Sequence, residues 1–302
     1  MRYTDIVIVG GGLAGSITAA MLGRAGVAAI MIDPHIVYPP DLRCEKIGGT
    51  QLPRLRRTGL DQEILRLTTV DGEVWEARFG IVVARKPSDQ HGVMYDTLVN
   101  ATRALIPPGV EILYTKVVEV ATGDERQRVV LADGEDISAR LVVLANGLSI
   151  SLRHMLGLQR RVISECHSVT LGFDVAPVGR PALPFPALTY WPKRTADRMA
   201  YLTLFPIGST MRANMMVYRP MDDIWFREFR ENPEATMRAV MPGFDRMAGD
   251  FKVIGPIKIR PADLYVTENH RQAGVVLVGD AFATSCPAAG TGTDKVFTDV
   301  ER

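Results

Sequence analysis

The chain has 302 residues, 47% of them hydrophobic and 23% charged, which supplies one large or two moderate cores and excludes a disordered chain. A formal net charge of +1 excludes the strongly basic surface that nucleic-acid binding requires. No apolar run reaches the ~18 residues of a membrane span, and the scattered Cys44, Cys166 and Cys286 form neither a disulfide framework nor a zinc spacing, so a reducing cytoplasm is expected.

Asp5 to Val9 reads as a buried strand that begins so early that no room is left for a cleaved signal. It runs into Gly10-Gly-Gly12-Leu13-Ala14-Gly15 and a helix in which Ala19 and Ala20 are small enough to pack on a sheet. A second strand, Ala28 to Ile32, ends in Asp33. Strand, glycine loop, helix and acid together make the dinucleotide fingerprint, with the pyrophosphate on the helix N-terminus and the acid on a ribose 2′-OH. The fingerprint fits FAD and NAD alike, whereas Asp33 disfavours the 2′-phosphate of NADP at this place.

Arg43, Glu45 and Lys46 follow in the loop Asp41-Leu-Arg-Cys-Glu-Lys-Ile47, either as a solvated charged loop or as functional charges at a strand C-terminus. Arg54, Arg56 and Arg57 suit a wet helix face, or an NADPH phosphate, since no second glycine fingerprint exists. Glu73 to Arg78 and Ile81 to Arg85 alternate as a pair of strands. Gln90 and His91 precede a helix over Val93 to Leu105, and a strand follows over Glu111 to Val120. Leu141 to Gly147 is an apolar strand ending in a turn.

Ser168 to Phe173, Met199 to Phe205 and Arg212 to Arg219 read as strands of an antiparallel sheet, Pro181 to Pro192 as loop, and Met221 to Met241 as mostly helical. Tyr201, Phe205, Arg212, Asn214 and Tyr218 are pocket candidates, although strand parity turns half of such a set away. The five histidines show no metal spacing, and no metal is expected.

The most informative stretch is the last. An apolar strand, Val275 to Val278, delivers Gly279-Asp280 to its C-terminal end, where α/β sheets place ligands, and Asp280 can accept hydrogen bonds from a polyol. Pro287-Ala-Ala-Gly290-Thr291-Gly292 then opens a helix whose free N–H groups attract an anion or a carbonyl dipole. NAD has no use for this distant unit. FAD is long enough to need its ribityl and flavin held by a separate part of the chain.

These elements define an α/β protein: a Rossmann-like FAD-binding domain over residues 1–68, 89–163 and 263–302, and a second, mainly antiparallel β-sheet substrate domain over 69–88 and 164–262. Gly10-x-Gly12-x-x-Gly15, Ala145-Asn-Gly147 with Arg153, and Gly279-Asp280 with Pro287-x-x-Gly290-x-Gly292 and Asp299 resemble the single-component (group A) FAD-dependent monooxygenases with the para-hydroxybenzoate hydroxylase fold. Flavin-dependent halogenases and geranylgeranyl reductases share that fold.

The resemblance implies FAD, NADH or NADPH as electron donor, O2, and a small organic substrate oxygenated by a flavin C4a-hydroperoxide. It implies a cofactor set of Gly10, Gly12, Leu13, Ala14, Gly15, Asp33, Arg43, Gln90, Val117, Asp280, Gly290, Thr291 and Gly292, with Arg43, Glu45, Lys46 and Pro287 as catalytic candidates. Val117 is equally a backbone contact to adenine or a plain core valine.

Several departures from the pattern matter. The arginine that usually precedes the helix and reaches the FAD phosphates is replaced by Gln90-His91, which bring no permanent charge. The usual aspartate stands as Asn146, which weakens the expectation of ordinary nicotinamide handling. The chain stops inside the helix after Gly292, whereas proteins resembling this family continue, so a chain shorter than the family is expected. The Trp-x-Trp-x-Ile-Pro stretch of the halogenases is absent. An apolar stretch from Met199 to Met216 permits a prenyl-lipid reductase. Asp280 and Gly290-x-Gly292 argue against the non-catalytic module of GDP-dissociation inhibitors. Nothing in the sequence sets an oligomeric state.

Overall fold

The computed structural model describes all 302 residues, in two seven-stranded sheets and one of three strands. The strand Arg2–Val9 lies at the centre of the first sheet because its apolar run is covered on both faces, with Val7 and Ile8 fully buried, as parallel sheets require. Ala29–Ile32 and Asp136–Leu144 flank it in parallel, and Val110–Leu113 extends the sheet beyond Ala29–Ile32.

The far edge of Asp136–Leu144 is divided between two partners. Residues Asp136 to Ala139 pair antiparallel with Gln127–Leu131, while Val142 to Leu144 pair in parallel with Val275–Leu277. This division sets Gly279-Asp280 at the same carboxyl edge as Gly10 and Asn146. The expected strand Glu111 to Val120 is in fact two, Val110–Leu113 and Val117–Ala121, the second belonging to the antiparallel meander. Helices Leu13–Arg24, Tyr95–Ala104 and Gly292–Glu301 meet over one apolar cluster that contains Ile17, Leu98, Val99 and Phe297.

The second sheet runs in the order Phe251–Glu268, Gln159–Pro177, Thr210–Val217, Met199–Ile207, Ala187–Trp191, Glu73–Arg78, Ile81–Pro87. All pairs are antiparallel except Ala187–Trp191 with Glu73–Arg78. Ala187–Trp191 corrects the reading of Pro181 to Pro192 as loop, for Leu188 and Tyr190 point into the core while the surrounding prolines mask their alternation. Trp225–Glu231 and Pro233–Val240 replace the single helix expected over Met221 to Met241. Asn232 breaks it at φ −141°, as the residue before a proline is biased to do.

One face of this sheet is sealed by those helices through Leu171, Phe173, Leu202, Leu204, Met215, Phe229 and Met237. The opposite face is turned toward the first domain. The strands Gln159–Pro177 and Phe251–Glu268 pair along most of their length and contain both positions, 163/164 and 262/263, at which the sequence suggested a domain change. The end of the second strand continues into the first domain, where Thr267 N–H donates to Phe282 (2.8 Å) and Thr284 N–H to Tyr265 (3.1 Å). No helix is long and apolar enough to cross a membrane.

Candidate functional site

The glycine loop is built by close contacts. Gly10 has φ +103°, and a Cβ there would lie 2.7 Å from the Ala145 carbonyl oxygen; at Gly15 it would lie 1.8 Å from the Gly10 oxygen. At Gly12, by contrast, the nearest atom would be 3.9 Å away, on the Tyr38 ring, so this glycine opens onto space that a ligand can approach. Asp33 is buried and accepts from Gly11 N–H (2.7 Å) and His35 N–H (2.9 Å), with the Arg103 guanidinium 2.9 Å away. Burial alone would raise the Asp33 carboxyl, but these two N–H groups and Arg103 outweigh it and hold it below the usual carboxylate range. Leu13 and Ala14 are buried, and Ala14 sits beneath Gly279, where an added Cβ would come within 3.1 Å of the Ala14 methyl. The first and last motifs therefore touch.

Gly279, at φ +62°, and Asp280 form a short 3-10 turn after their strand. Asp299 accepts from Gly279 N–H (2.8 Å) and Lys295 (2.6 Å), tying the last helix to the turn. Arg153, almost fully buried, donates to the carbonyls of Ala281 (2.7 Å) and Ser149 (2.9 Å) and so clamps the turn after Asn146 to the Asp280 turn. Asn146 donates to the Ser149 carbonyl at 3.2 Å, and its Oδ1 is buried without a partner. Arg43 donates to Asp280 Oδ2 and to Asp41 Oδ2, both at 2.7 Å. Burial opposes its charge, but Tyr95, Asp280 and Asp41 prevail and raise it above its ordinary value. Gly290 has φ +66° ahead of the helix Gly292–Glu301, whose N-cap is Thr291, and Gln51 donates to the Gly290 carbonyl at 2.6 Å.

The loop carrying Arg43 is anchored to the second sheet. Glu45, 1% exposed, accepts from Arg212 Nε (2.8 Å), Arg212 Nη2 (2.9 Å) and Asn214 (2.7 Å). Asp41 pairs with Arg260 of the strand Phe251–Glu268. Lys46 lies 5.2 Å from the Phe205 ring centroid, and burial, opposed by Asp71, pushes its ammonium down to about 8.

Register resolves the parity left open by sequence. Tyr201 is opposite Met216, Thr203 opposite Asn214, and Phe205 opposite Arg212, all facing away from the core residues Leu202, Leu204, Ala213 and Met215. Tyr201 donates to the Ala288 carbonyl at 2.6 Å and its ring packs at a tilt against Trp191, centroids 5.2 Å apart, which places an aromatic wall beside Cys286-Pro287.

Other expected residues have the following surroundings. Gln90 packs on Gly48, each beside a strand of the three-stranded sheet. Val117 packs its side chain against the apolar cluster of Val120 and Val129. Arg54 pairs with Asp294 (2.8 Å) and Arg57 with Glu301 (2.6 Å), so two of the three arginines considered for an NADPH phosphate tie the helix Gln51–Arg57 to the last helix. Arg103 was missed by sequence reading because it sits in the last turn of a helix with no motif around it. No His, Cys, Asp and Glu cluster suits a metal.

The residues fit FAD. The space left open at Gly12, the Asp33 carboxylate, the Asp280 turn and the helix N-terminus at Gly292 lie along one carboxyl edge, two of them joined by the Ala14–Gly279 contact.

Among curated proteins, the chain is 25% identical to 3-demethoxyubiquinol 3-hydroxylase of Escherichia coli, over 99% of this chain and 78% of that protein. It is 25% identical to aklavinone 12-hydroxylase of Streptomyces peucetius subsp. caesius, over 95% of this chain and 64% of the relative. Among solved structures, p-nitrophenol 4-monooxygenase of Pseudomonas putida superposes with a TM-score of 0.79 at 20% identity, covering 100% of this chain and 78% of that one. The flavin-dependent brominase Bmp2 superposes at 0.75 with 16% identity, covering 99% and 77%. The FAD binding domain model matches residues 3–300, and the chain belongs to that family, the family of the flavin monooxygenases its motifs resemble.

Proposed function

We propose that this protein is an FAD-dependent monooxygenase that uses NADH or NADPH and O2 to oxygenate a small organic molecule held beneath the second sheet. The observation that carries the reading is the Arg43–Asp280 pair: it joins the loop anchored to the substrate sheet with the turn that follows Val275–Leu277, where the flavin end of FAD is expected. When bound, FAD supplies the electron and oxygen chemistry. The protein's part is to bind, orient and exclude water. Asp33 and the glycine loop hold the ADP half, Asp280 the ribityl, and the N-terminus of the helix Gly292–Glu301 favours negative charge on the flavin ring.

Tyr201, Phe205 and Trp191 would form the wall against which substrate lies, with Lys46, 5.2 Å from the Phe205 ring, as a group able to exchange a proton near neutral pH. The hydroxylase relatives favour oxygenation over halogenation, and the missing Trp-x-Trp-x-Ile-Pro stretch agrees.

Purified protein should be yellow, and heat should release FAD, not FMN. Anaerobic reduction by NADH or NADPH, with and without candidate substrates, followed by admission of O2 and analysis of the products, tests the reaction. Release of FMN alone would overturn the cofactor assignment, and flavin reoxidation without an oxygenated product from any candidate would count against oxygen transfer.

A further inference from the structure

The family's arginine before the helix Tyr95–Ala104 is missing, yet that helix still sends a permanent charge to the glycine loop, from its other end. Arg103 donates from Nε to the Gly11 carbonyl (2.8 Å) and from Nη1 to the His35 carbonyl (2.5 Å), while Nη2 lies 2.9 Å from Asp33 Oδ1. Its side chain is 8% exposed, and the guanidinium stands over the Tyr38 ring at 5.6 Å. One turn earlier, Asn100 braces the loop that follows Asp33 by exchanging hydrogen bonds with the Tyr38 backbone, at 2.9 and 3.1 Å.

Gly11 belongs to this arrangement. It has no positive φ, so backbone strain does not explain a glycine between Gly10 and Gly12. A Cβ at Gly11 would lie 2.5 Å from Arg103 Nη2 and 3.0 Å from the Asp33 Cβ. The space a side chain would take is filled by the guanidinium.

We propose that Arg103 is a positioning residue for the ADP half of the cofactor, and that Gly11 is glycine to admit it. Arg103 fixes the Asp33 carboxylate in the orientation that receives a ribose hydroxyl. It also offsets the charge of Asp33, which would otherwise repel a pyrophosphate bound at the neighbouring loop. The guanidinium suits this task because its planar fork donates to two carbonyls while holding its charge 2.9 Å from the carboxylate, which an ammonium cannot do in one geometry.

The inference rests on the reading that the chain binds FAD, and the test separates the two. Apo-protein is titrated by calorimetry with FAD and with ADP, for wild type, Arg103→Ala, Arg103→Lys, Gly11→Ala and the double variant Gly11→Ala/Arg103→Ala. Arg103→Ala should weaken both ligands by the same factor, roughly 10- to 100-fold, and Arg103→Lys should recover part of the loss. Gly11→Ala should weaken binding in the wild-type background and cost less once Arg103 is gone. That coupling is a readout a general loss of stability does not produce. Equal FAD and ADP affinity in wild type and Arg103→Ala, or additive losses in the double variant, would overturn the proposal. Wild-type protein that binds neither ligand would overturn the FAD reading and this proposal with it.

Discussion

Replacing Glu45 by glutamine separates an anchoring role from a chemical one. Glu45 and Arg212 have side chains 0% and 4% exposed, and the carboxylate receives three hydrogen bonds from two residues of the substrate sheet. Removing one charge from a buried pair costs about 3–5 kcal/mol, because the partner is left uncompensated. Arg212 also reaches Asp174 at 3.1 Å, and glutamine keeps one acceptor, so the loss should fall near the lower end, about 3 kcal/mol. For a chain of 302 residues that lowers Tm by about 5 °C. The same loop carries Arg43, so FAD affinity should fall as well. The assay is thermal unfolding with and without FAD, together with turnover of the protein that remains folded. A double variant, Glu45→Leu with Arg212→Met, removes both charges and should regain part of the stability. Unchanged Tm with abolished turnover would refute the anchoring argument and return Glu45 to the chemistry.

Asp280→Ala should weaken FAD binding by about 1.5–3 kcal/mol, roughly 10- to 100-fold, with Asp280→Asn costing less because the amide still accepts; equal loss of thermal stability with and without FAD would show that Asp280 only caps its own turn. Asn146→Asp should speed flavin reduction by NADPH in stopped flow, and rapid, substrate-stimulated reduction of the wild type would sink that expectation. Lys46 has a folded pKa of about 8, below its unfolded value, so the unfolded chain binds more protons above pH 8. Stability should therefore rise from pH 8 toward the ordinary lysine value, as the buried ammonium becomes neutral. Lys46→Met should flatten that rise in denaturant titrations across this range; a slope equal to that of wild type would place the charge in solvent.

Much of the candidate cofactor site was legible because it is encoded locally. Gly10 needs φ +103° and Gly15 a backbone approach no side chain permits, and each shows in the sequence as a glycine at fixed spacing from an apolar strand. Asp33 and Asp280 stand at strand ends, so pattern alone put both at the carboxyl edge. Side-chain partners across the chain were not legible in the same way. Nothing local distinguishes Arg103 from a surface arginine, and only packing against Asp33 gives it work to do, while Arg153 was marked by its spacing after Gly147 but not by its partner, the Ala281 carbonyl. Glu45 read either as a solvated loop charge or as a catalytic candidate until Arg212, 167 positions away, closed over it.

Strand parity behaves likewise. A period of two gives two faces but not which one is buried, so Tyr201, Phe205, Arg212 and Asn214 shared a fate decided only when Leu202, Leu204 and Met215 met the helices, and Tyr218 falls just beyond its strand. The pairing of Gln159–Pro177 with Phe251–Glu268 was invisible for the same reason. Backbone conformation and short apolar runs are set by neighbours in sequence, and from these the chain alone determined its fold class and cofactor. Register, ion pairing and the face turned toward the ligand depend on contacts between distant segments, and these only the tertiary structure decided.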